Sequence, residues 1–206
     1  MHKKAHIIYP LFSMPLMAIP LDINSQNILK FIKTLSYQKN LKESDGTYLS
    51  KSIKILEHQQ LKKEKDIFIG AIQIYLNAIS YGKQYKILNS WATKTLKNCA
   101  SQLHVHRNSW LSAVYYPESH NGFAITFVKN LPTTSFFALD YDIPNNIYSC
   151  DEWKIKPSQN VLLIFPSEMY HKIEKNLSNK IRYSLAFNIN PVGLFKKDSD
   201  GEINYA

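Results

Sequence analysis

Residues 181–189 read Ile-Arg-Tyr-Ser-Leu-Ala-Phe-Asn-Ile, and this stretch is the strongest indication of the fold class. Large apolar side chains occupy every second position, and polar or small side chains stand between them. Because successive side chains of a β-strand point to opposite faces, this pattern predicts a strand with one apolar face. Arg182 has apolar neighbours throughout, so the strand is expected to be mostly buried.

Further short apolar runs follow Gly82, and turn-forming residues separate them. The runs cover residues 86–97, 102–106, 110–116, 123–129 and 161–165. Turn signals between them include Ser-His-Asn-Gly, Leu-Pro-Thr-Thr and Asp-Ile-Pro-Asn-Asn. Many short strands at this spacing predict a β-sandwich or jelly roll.

The residues before Gly82 show a different periodicity. Asp22 or Asn24 can cap a helix whose apolar side chains recur at helical spacing, and residues 67–79 form a second amphipathic pattern. Prolines interrupt the apolar N-terminal stretch every five residues, which predicts an extended segment lying on the domain. We therefore expect a mostly β protein with N-terminal helices. Residues 1–82 would pack on a β core of residues 83–206 as one compact unit.

Composition bounds the function classes. Hydrophobic residues make up 45% of the 206 residues, which is enough for a core and excludes wholesale disorder. The net charge is +9, but only two of the 25 basic residues are arginine, so a dedicated nucleic-acid reader is poorly supported. Two cysteines and no apolar stretch of about 20 residues predict a reduced, cytoplasmic protein outside the membrane.

His104-Val-His106 lies in one of the predicted strands. Alternation along a strand places both imidazoles on one face, where they would form half of a metal site. The same pattern also fits a polar stripe that faces solvent, so this motif alone leaves both interpretations open.

A second group of residues lies nearer the C-terminus. Phe165-Pro-Ser leads to His171, and Arg182 and Ser184 lie two residues apart on the last predicted strand. A buried guanidinium requires an anionic partner, and a guanidinium beside a hydroxyl suits a carboxylate ligand. The alternative is a structural ion pair with a nearby acid such as Glu174.

These motifs, in this order, resemble the Fe(II)/2-oxoglutarate-dependent oxygenases, in particular a branch of small phage and marine-bacterial proteins. Pro10-Leu-Phe-Ser-Met-Pro-Leu resembles the opening segment of that branch, and Asn89-Ser-Trp-Ala resembles the strand before its metal motif. The segment from His104 to Tyr116 is similar to its His-x-His pattern. Phe165-Pro-Ser…His171 and Arg182-x-Ser184-x-x-x-Asn188 complete the set.

The resemblance implies a double-stranded β-helix that hydroxylates an unknown primary substrate, with O₂ and 2-oxoglutarate consumed and succinate and CO₂ released. It assigns Fe(II) to His104, His106 and His171, and the 2-oxoglutarate site to Arg182, Ser184 and Tyr116. Val114, Phe165 and Phe187 would supply some of the pocket walls. Oxygenases of this fold often pair through their helical extension, so the resemblance allows a homodimer, located in the host cytoplasm if the chain is phage-encoded.

The chain departs from the common pattern of two histidines and one carboxylate. Either three histidines bind the metal, or only one of His104 and His106 binds it and Glu118 or Asp140 supplies a carboxylate. His120 is expected to face solvent, and Arg107 would contact an acidic substrate or the protein surface. Two other function classes stay open: a cupin-like three-histidine metal protein that does not use 2-oxoglutarate, and a non-catalytic jelly roll for binding or assembly.

Overall fold

A computed structural model describes residues 8–40, 46–119, 123–129 and 146–194, together with a two-residue strand at 202–203. In chain order the strands are β1 (Met17–Pro20), β2 (Tyr37–Lys39), β3 (Thr47–Ser50), β4 (Tyr85–Thr95), β5 (Leu111–Tyr115), β6 (Ile125–Val128), β7 (Glu152–Ile155), β8 (Val161–Pro166), β9 (Tyr170–Ile173), β10 (Arg182–Pro191), β11 (Gly193–Leu194) and β12 (Glu202–Ile203). The helices are α1 (Ser25–Thr34) and α2 (Lys62–Ala78), with short 3₁₀ turns at Ile55–Glu57 and Gln59–Leu61.

Two antiparallel sheets form the body of the fold. The larger sheet has the order β1-β8-β5-β10-β4-β3-β2, and the smaller has the order β7-β6-β9. Their inner faces enclose an apolar cluster that includes Val114, Phe127 and Phe165. The prediction of a mostly β fold built from antiparallel strands is confirmed.

The helices cover the outer face of the larger sheet. Asn24 caps α1 by accepting a hydrogen bond from the backbone N–H of Asn27 at 3.2 Å, as one of the two predicted caps. Phe68 of α2 packs against Phe187 of β10, with ring centroids 5.5 Å apart. Phe68 and Phe187 belong to a second apolar cluster, between the helices and the larger sheet, and it is the larger of the two apolar cores.

Two differences from the sequence analysis concern the strands. The run 102–106, predicted as a strand, contributes one isolated β-bridge, between His104 and His171. The part before Gly82, for which an extended segment and helices were expected, also supplies β1, β2 and β3 to the larger sheet. Residues 8–16 form a largely exposed segment with a turn at residues 11–12, where Phe12 has a φ of 60°. Its Pro15 carbonyl accepts a hydrogen bond from the Tyr75 hydroxyl at 2.9 Å.

Candidate metal centre

The three histidines of the sequence motifs lie together between the two sheets. His104 and His171 face each other across the bridge, where each backbone N–H donates to the other's carbonyl at 2.9 and 3.0 Å. The backbone N–H of His106 donates to the Ser167 carbonyl at 3.0 Å. Backbone pairing therefore fixes the positions of these residues before any metal binds.

The imidazole rings form a tight cluster. The ring centroids of His104 and His171 are 4.3 Å apart, and that of His106 lies 5.2 Å from His171 and 5.3 Å from His104. One ring nitrogen from each residue lies within 4.8 Å of the other two. Within the part of the chain that the structure describes, no carboxylate joins this group.

The other residues that the sequence offered for the site lie outside this cluster or outside the described residues. Glu118 does not belong to this group, so the structure does not support it as the carboxylate that would replace one of the two motif histidines. It interacts electrostatically with Tyr183, whose side chain belongs to the core on the helix side of the sheet. Asp140 and His120 lie outside the described residues. Arg107 is exposed in the turn that follows His106.

Hydrogen bonds between Nδ1 and backbone carbonyls orient the rings of His104 and His171. The Nδ1 of His104 lies 2.7 Å from the Gln102 carbonyl, and the Nδ1 of His171 lies 2.9 Å from the Met169 carbonyl. Because a backbone carbonyl only accepts hydrogen bonds, both Nδ1 atoms carry the proton. The Nε2 lone pairs of these two histidines are then free for a metal ion.

Side chains surround the third ring. The Nδ1 of His106 lies 2.7 Å from Asn188 Oδ1 and 2.8 Å from Ser112 Oγ. Ser112 also bonds Ser167 Oγ at 2.7 Å and Asn188 Oδ1 at 3.1 Å. The sequence motifs do not predict a role for this polar group. Asn188 shares its strand face with Arg182 and Ser184, which is the signal that could have found it.

Burial favours the neutral form of His106 and His171. It lowers the pKa of His171 to about 3, with the neighbouring His104 as the next cause. Burial also lowers the pKa of His106, against the hydrogen bond to the Asn188 amide oxygen, which raises it. Neutral imidazoles are the form that binds metal ions, so this cluster needs little deprotonation to do so.

Arg182 lies on the same inner face of the larger sheet. Only 3% of its surface is exposed, and its Nη1 donates to the backbone carbonyl of Glu174 at 3.2 Å. The Glu174 carboxylate instead accepts from Lys154 at 2.9 Å and from Thr126 at 3.1 Å. The alternative of an Arg182–Glu174 ion pair is therefore wrong, and the guanidinium has no carboxylate partner among the residues described.

A cavity of about 460 Å³ joins these groups. The three histidines, Arg182 and Ser184 line it, together with Trp91. Trp91 has its ring centroid 5.5 Å from that of His106. Val114 and Phe165 form part of the wall as expected, whereas Phe187 does not, because it points to the helix side of the sheet.

Tyr116 is not part of the cavity lining, but it lies beside it. Its hydroxyl is fully buried and has no hydrogen-bond partner in the described part of the chain. Burial raises the pKa of Tyr116 to about 12, and the neighbouring charge of Arg182 acts in the opposite direction. A buried donor without an acceptor costs free energy, so a ligand oxygen at this position would be stabilised.

The donor set fits a divalent transition metal together with an anion. Three imidazoles suit such a metal, and three ligands leave open positions around it. Within the described residues, the buried guanidinium has no anionic partner and the nearby hydroxyl has no acceptor, and this pair suits a carboxylate.

Comparison with known proteins agrees with this chemistry. Residues 89–188 match the family model described as "Putative 2OG-Fe(II) oxygenase". The match begins in β4, ends at Asn188 in β10 and includes all six residues proposed for the site. No curated protein matches the chain.

Solved structures similar to this chain share its fold at low sequence identity. HygX from Streptomyces hygroscopicus, solved with nickel and 2-oxoglutarate bound, is 12% identical with a TM-score of 0.60, covering 94% of this chain and 93% of that chain. A prolyl-4-hydroxylase from Pseudomonas putida is 13% identical with a TM-score of 0.56, covering 89% of this chain and 96% of that chain. The alpha ketoglutarate dependent epimerase SnoN from nogalamycin biosynthesis is 11% identical with a TM-score of 0.62, covering 87% and 77%.

These likenesses confirm the predicted jelly roll. Among the described residues, none of the helices is long and apolar enough to cross a membrane.

Proposed function

Since the chain belongs to the 2OG-Fe(II) oxygenase superfamily, we propose that it uses Fe(II) and 2-oxoglutarate to oxidise a substrate of unknown identity at the three-histidine cluster. The proposed iron ligands are His104, His106 and His171. The proposed 2-oxoglutarate residues are Arg182, Ser184 and Tyr116. The observation that carries the proposal is a buried guanidinium that has no carboxylate partner among the described residues and lines the same cavity as three imidazoles.

The histidines would hold the metal without contributing charge. Fe(II) with 2-oxoglutarate and O₂ supplies the oxidising chemistry when bound, releasing succinate and CO₂. A carboxylate ligand would neutralise part of the charge of a divalent ion, whereas three uncharged imidazole ligands would leave the net charge of the metal centre at +2. The centre therefore attracts an anionic co-substrate more strongly than a site with two histidines and one carboxylate.

Arg182 would bind the distal carboxylate of 2-oxoglutarate. The face of its guanidinium is covered by Phe123, whose ring centroid is 4.4 Å from Cζ, so the edge of the group remains for hydrogen bonding. Ser184 lines the same cavity, and Tyr116 has an unused hydroxyl nearby. Binding of the carboxylate would relieve both the unpaired charge and the unpaired donor.

The two parts of the chain are proposed to act as one unit, with residues 1–82 packed on the core of residues 83–206. Pairing of β1 with β8 and of β3 with β4 supports this proposal. The cytoplasmic location and the homodimer stay predictions of the resemblance. Sedimentation of the purified chain would test the dimer.

The test is an anaerobic titration of metal-free protein with Fe(II) and then with 2-oxoglutarate. We expect a visible metal-to-ligand charge-transfer band in the native protein. His171→Ala should abolish it by removing a ligand, Arg182→Ala should shift it to much higher 2-oxoglutarate concentrations, and His58→Ala should leave it unchanged because His58 is exposed outside the cluster.

The other outcomes select between the alternatives. Binding of Fe(II) without a band at any 2-oxoglutarate concentration would favour the cupin-like metal protein. Failure to bind any metal would favour a non-catalytic jelly roll.

A further inference from the structure

The three histidines differ in the group that forms a hydrogen bond with Nδ1, the ring nitrogen that points away from the cluster. Backbone carbonyls hold the Nδ1 of His104 and His171, and no side-chain substitution removes those acceptors. The Nδ1 of His106 meets only side-chain atoms, from Asn188 at 2.7 Å and Ser112 at 2.8 Å. His106 is thus the one ring in the cluster whose orientation depends on other side chains.

Asn188 is rigidly placed for this contact. It is 6% exposed and lies directly opposite Ser112 in the pairing of β10 with β5. The Ser112 hydroxyl donates to Asn188 Oδ1 at 3.1 Å. Because the Ser112 hydroxyl donates to the amide oxygen of Asn188, this oxygen and not the amide nitrogen lies on the side of His106.

The direction of this amide decides the tautomer of His106. If the oxygen faces the ring, Nδ1 carries the proton and the Nε2 lone pair is free, as in the other two histidines. If the amide nitrogen faced the ring, Nδ1 would accept a hydrogen bond and Nε2 would carry the proton. In that tautomer His106 could not bind a metal through Nε2.

The geometry points to Asn188 as the positioning residue of His106: its Oδ1 holds the Nδ1–H tautomer and directs Nε2 into the metal cluster. The part that concerns metal affinity rests on the proposed function, and the part that concerns the tautomer does not. Asn188 supplies a neutral acceptor where many metal sites use a carboxylate, so it orients the ring without adding negative charge.

The first experiment reads the tautomer directly in metal-free protein. Long-range ¹H–¹⁵N correlation spectra of the imidazoles, recorded at a pH where the rings are neutral, distinguish the two forms. We expect the Nδ1–H form of His106 in the native protein and in Asn188→Asp, which keeps the acceptor. Asn188→Ala should lose it, and Asn188→Leu, which keeps the branched shape without an acceptor, provides a second variant if the alanine variant does not fold.

The second experiment titrates the same proteins with Co(II) alone and follows its visible absorption. Loss of the Asn188 acceptor should weaken Co(II) affinity by about 10- to 100-fold, and Asn188→Asp should restore affinity to within about threefold of native. Asn190→Ala is the matched control. Asn190 is the next asparagine on β10, 5% exposed, and bonds the backbone of Trp110 at 2.8 Å and of Asn108 at 3.0 Å.

The proposal is overturned if His106 of the native protein carries its proton on Nε2. It is also overturned if the alanine or leucine variant keeps both the native tautomer and the native Co(II) affinity, or if Asn190→Ala weakens Co(II) binding as much as Asn188→Ala. If the native protein binds no Co(II), the proposed function fails, and the tautomer spectra still decide the role of Asn188.

Discussion

The two faces of β10 have opposite characters. The face towards the helices presents Tyr183, Leu185, Phe187 and Ile189, all of which belong to the larger apolar core. The face towards the smaller sheet presents Arg182, Ser184, Ala186, Asn188 and Asn190, and four of these five are polar. Both faces are buried, so the difference is not one between core and surface.

Adjacent residues of β10 therefore contribute to different properties: one face contributes to stability and the other to ligand binding. Burial of apolar side chains on the helix side contributes roughly 25 cal/mol per Å² of area removed from water. The inner face instead holds a buried guanidinium without a carboxylate partner among the described residues, which lowers stability unless a ligand compensates. Neighbouring residues of β10 should therefore respond to substitution in opposite ways.

Arg182→Met should produce the largest effect, and only on binding. Loss of the guanidinium should weaken 2-oxoglutarate binding by about a hundred- to several thousandfold, since breaking a buried ionic contact costs about 3–5 kcal/mol. The free energy of unfolding of the metal-free protein should not fall, because an apolar side chain replaces an unpaired charge. Anaerobic titration and urea unfolding measure the two quantities, and the contrast fails if stability falls while affinity is kept.

Phe187→Ala should produce the reverse result. This ring is fully buried on the helix side, and its truncation should lower the free energy of unfolding by about 3–5 kcal/mol. The affinity of the folded protein for 2-oxoglutarate should stay within about threefold of native. Phe165→Ala is the matched control on the cavity side, because its ring centroid lies 5.0 Å from that of His171 and both quantities should change.

Tyr116→Phe should give a smaller effect that again differs in sign between the two measurements. Removal of a buried hydroxyl without a partner should raise the free energy of unfolding of the ligand-free protein by about 1 kcal/mol. The same change should weaken 2-oxoglutarate by roughly three- to tenfold, as expected for one lost hydrogen bond. Lower stability together with unchanged affinity would place the hydroxyl outside the carboxylate site.

Glu174→Gln should have the smallest effect. Its carboxylate pairs with Lys154, and hydrogen bonding by Lys154 is the main reason that the pKa of Glu174 is lowered. Because Arg182 contacts only the backbone carbonyl of Glu174, 2-oxoglutarate affinity should not change. Stability should change by less than about 1 kcal/mol, as for other exposed ion pairs. A large loss of affinity would revive the ion-pair alternative for Arg182.

The sequence predicted the elements with strong apolar periodicity. Both helices and the strands β4, β5, β6, β8 and β10 follow from alternation or helical spacing. The short strands β2, β3, β7 and β9 escaped prediction, because each has three or four residues and at least one polar or exposed face. Their pairing depends on neighbours that are distant in the chain, and local pattern does not report it.

The site was predictable where its residues form motifs and not where they meet through topology. Arg-x-Ser is visible in the sequence because residues two apart share a strand face, and His-x-His is visible as a short motif although the structure forms only an isolated β-bridge there. Ser112 and Ser167 carry no such signal, since they lie 55 residues apart and are joined by a 2.7 Å hydrogen bond only after β5 and β8 pair. For Asn188, the sequence predicted which face of the strand it occupies but not its hydrogen bond with His106.

The place of β10 in the larger sheet also bears on how the protein is made. This strand is synthesised after both of its neighbours in the sheet, because β4 and β5 lie some 70 or more residues earlier in the chain. Until it arrives, both strands present open edges that can pair with other chains. The nascent chain is therefore exposed to aggregation until β10 has been made, and the strand that ends this exposure also brings Arg182, Ser184 and Asn188 into the cavity.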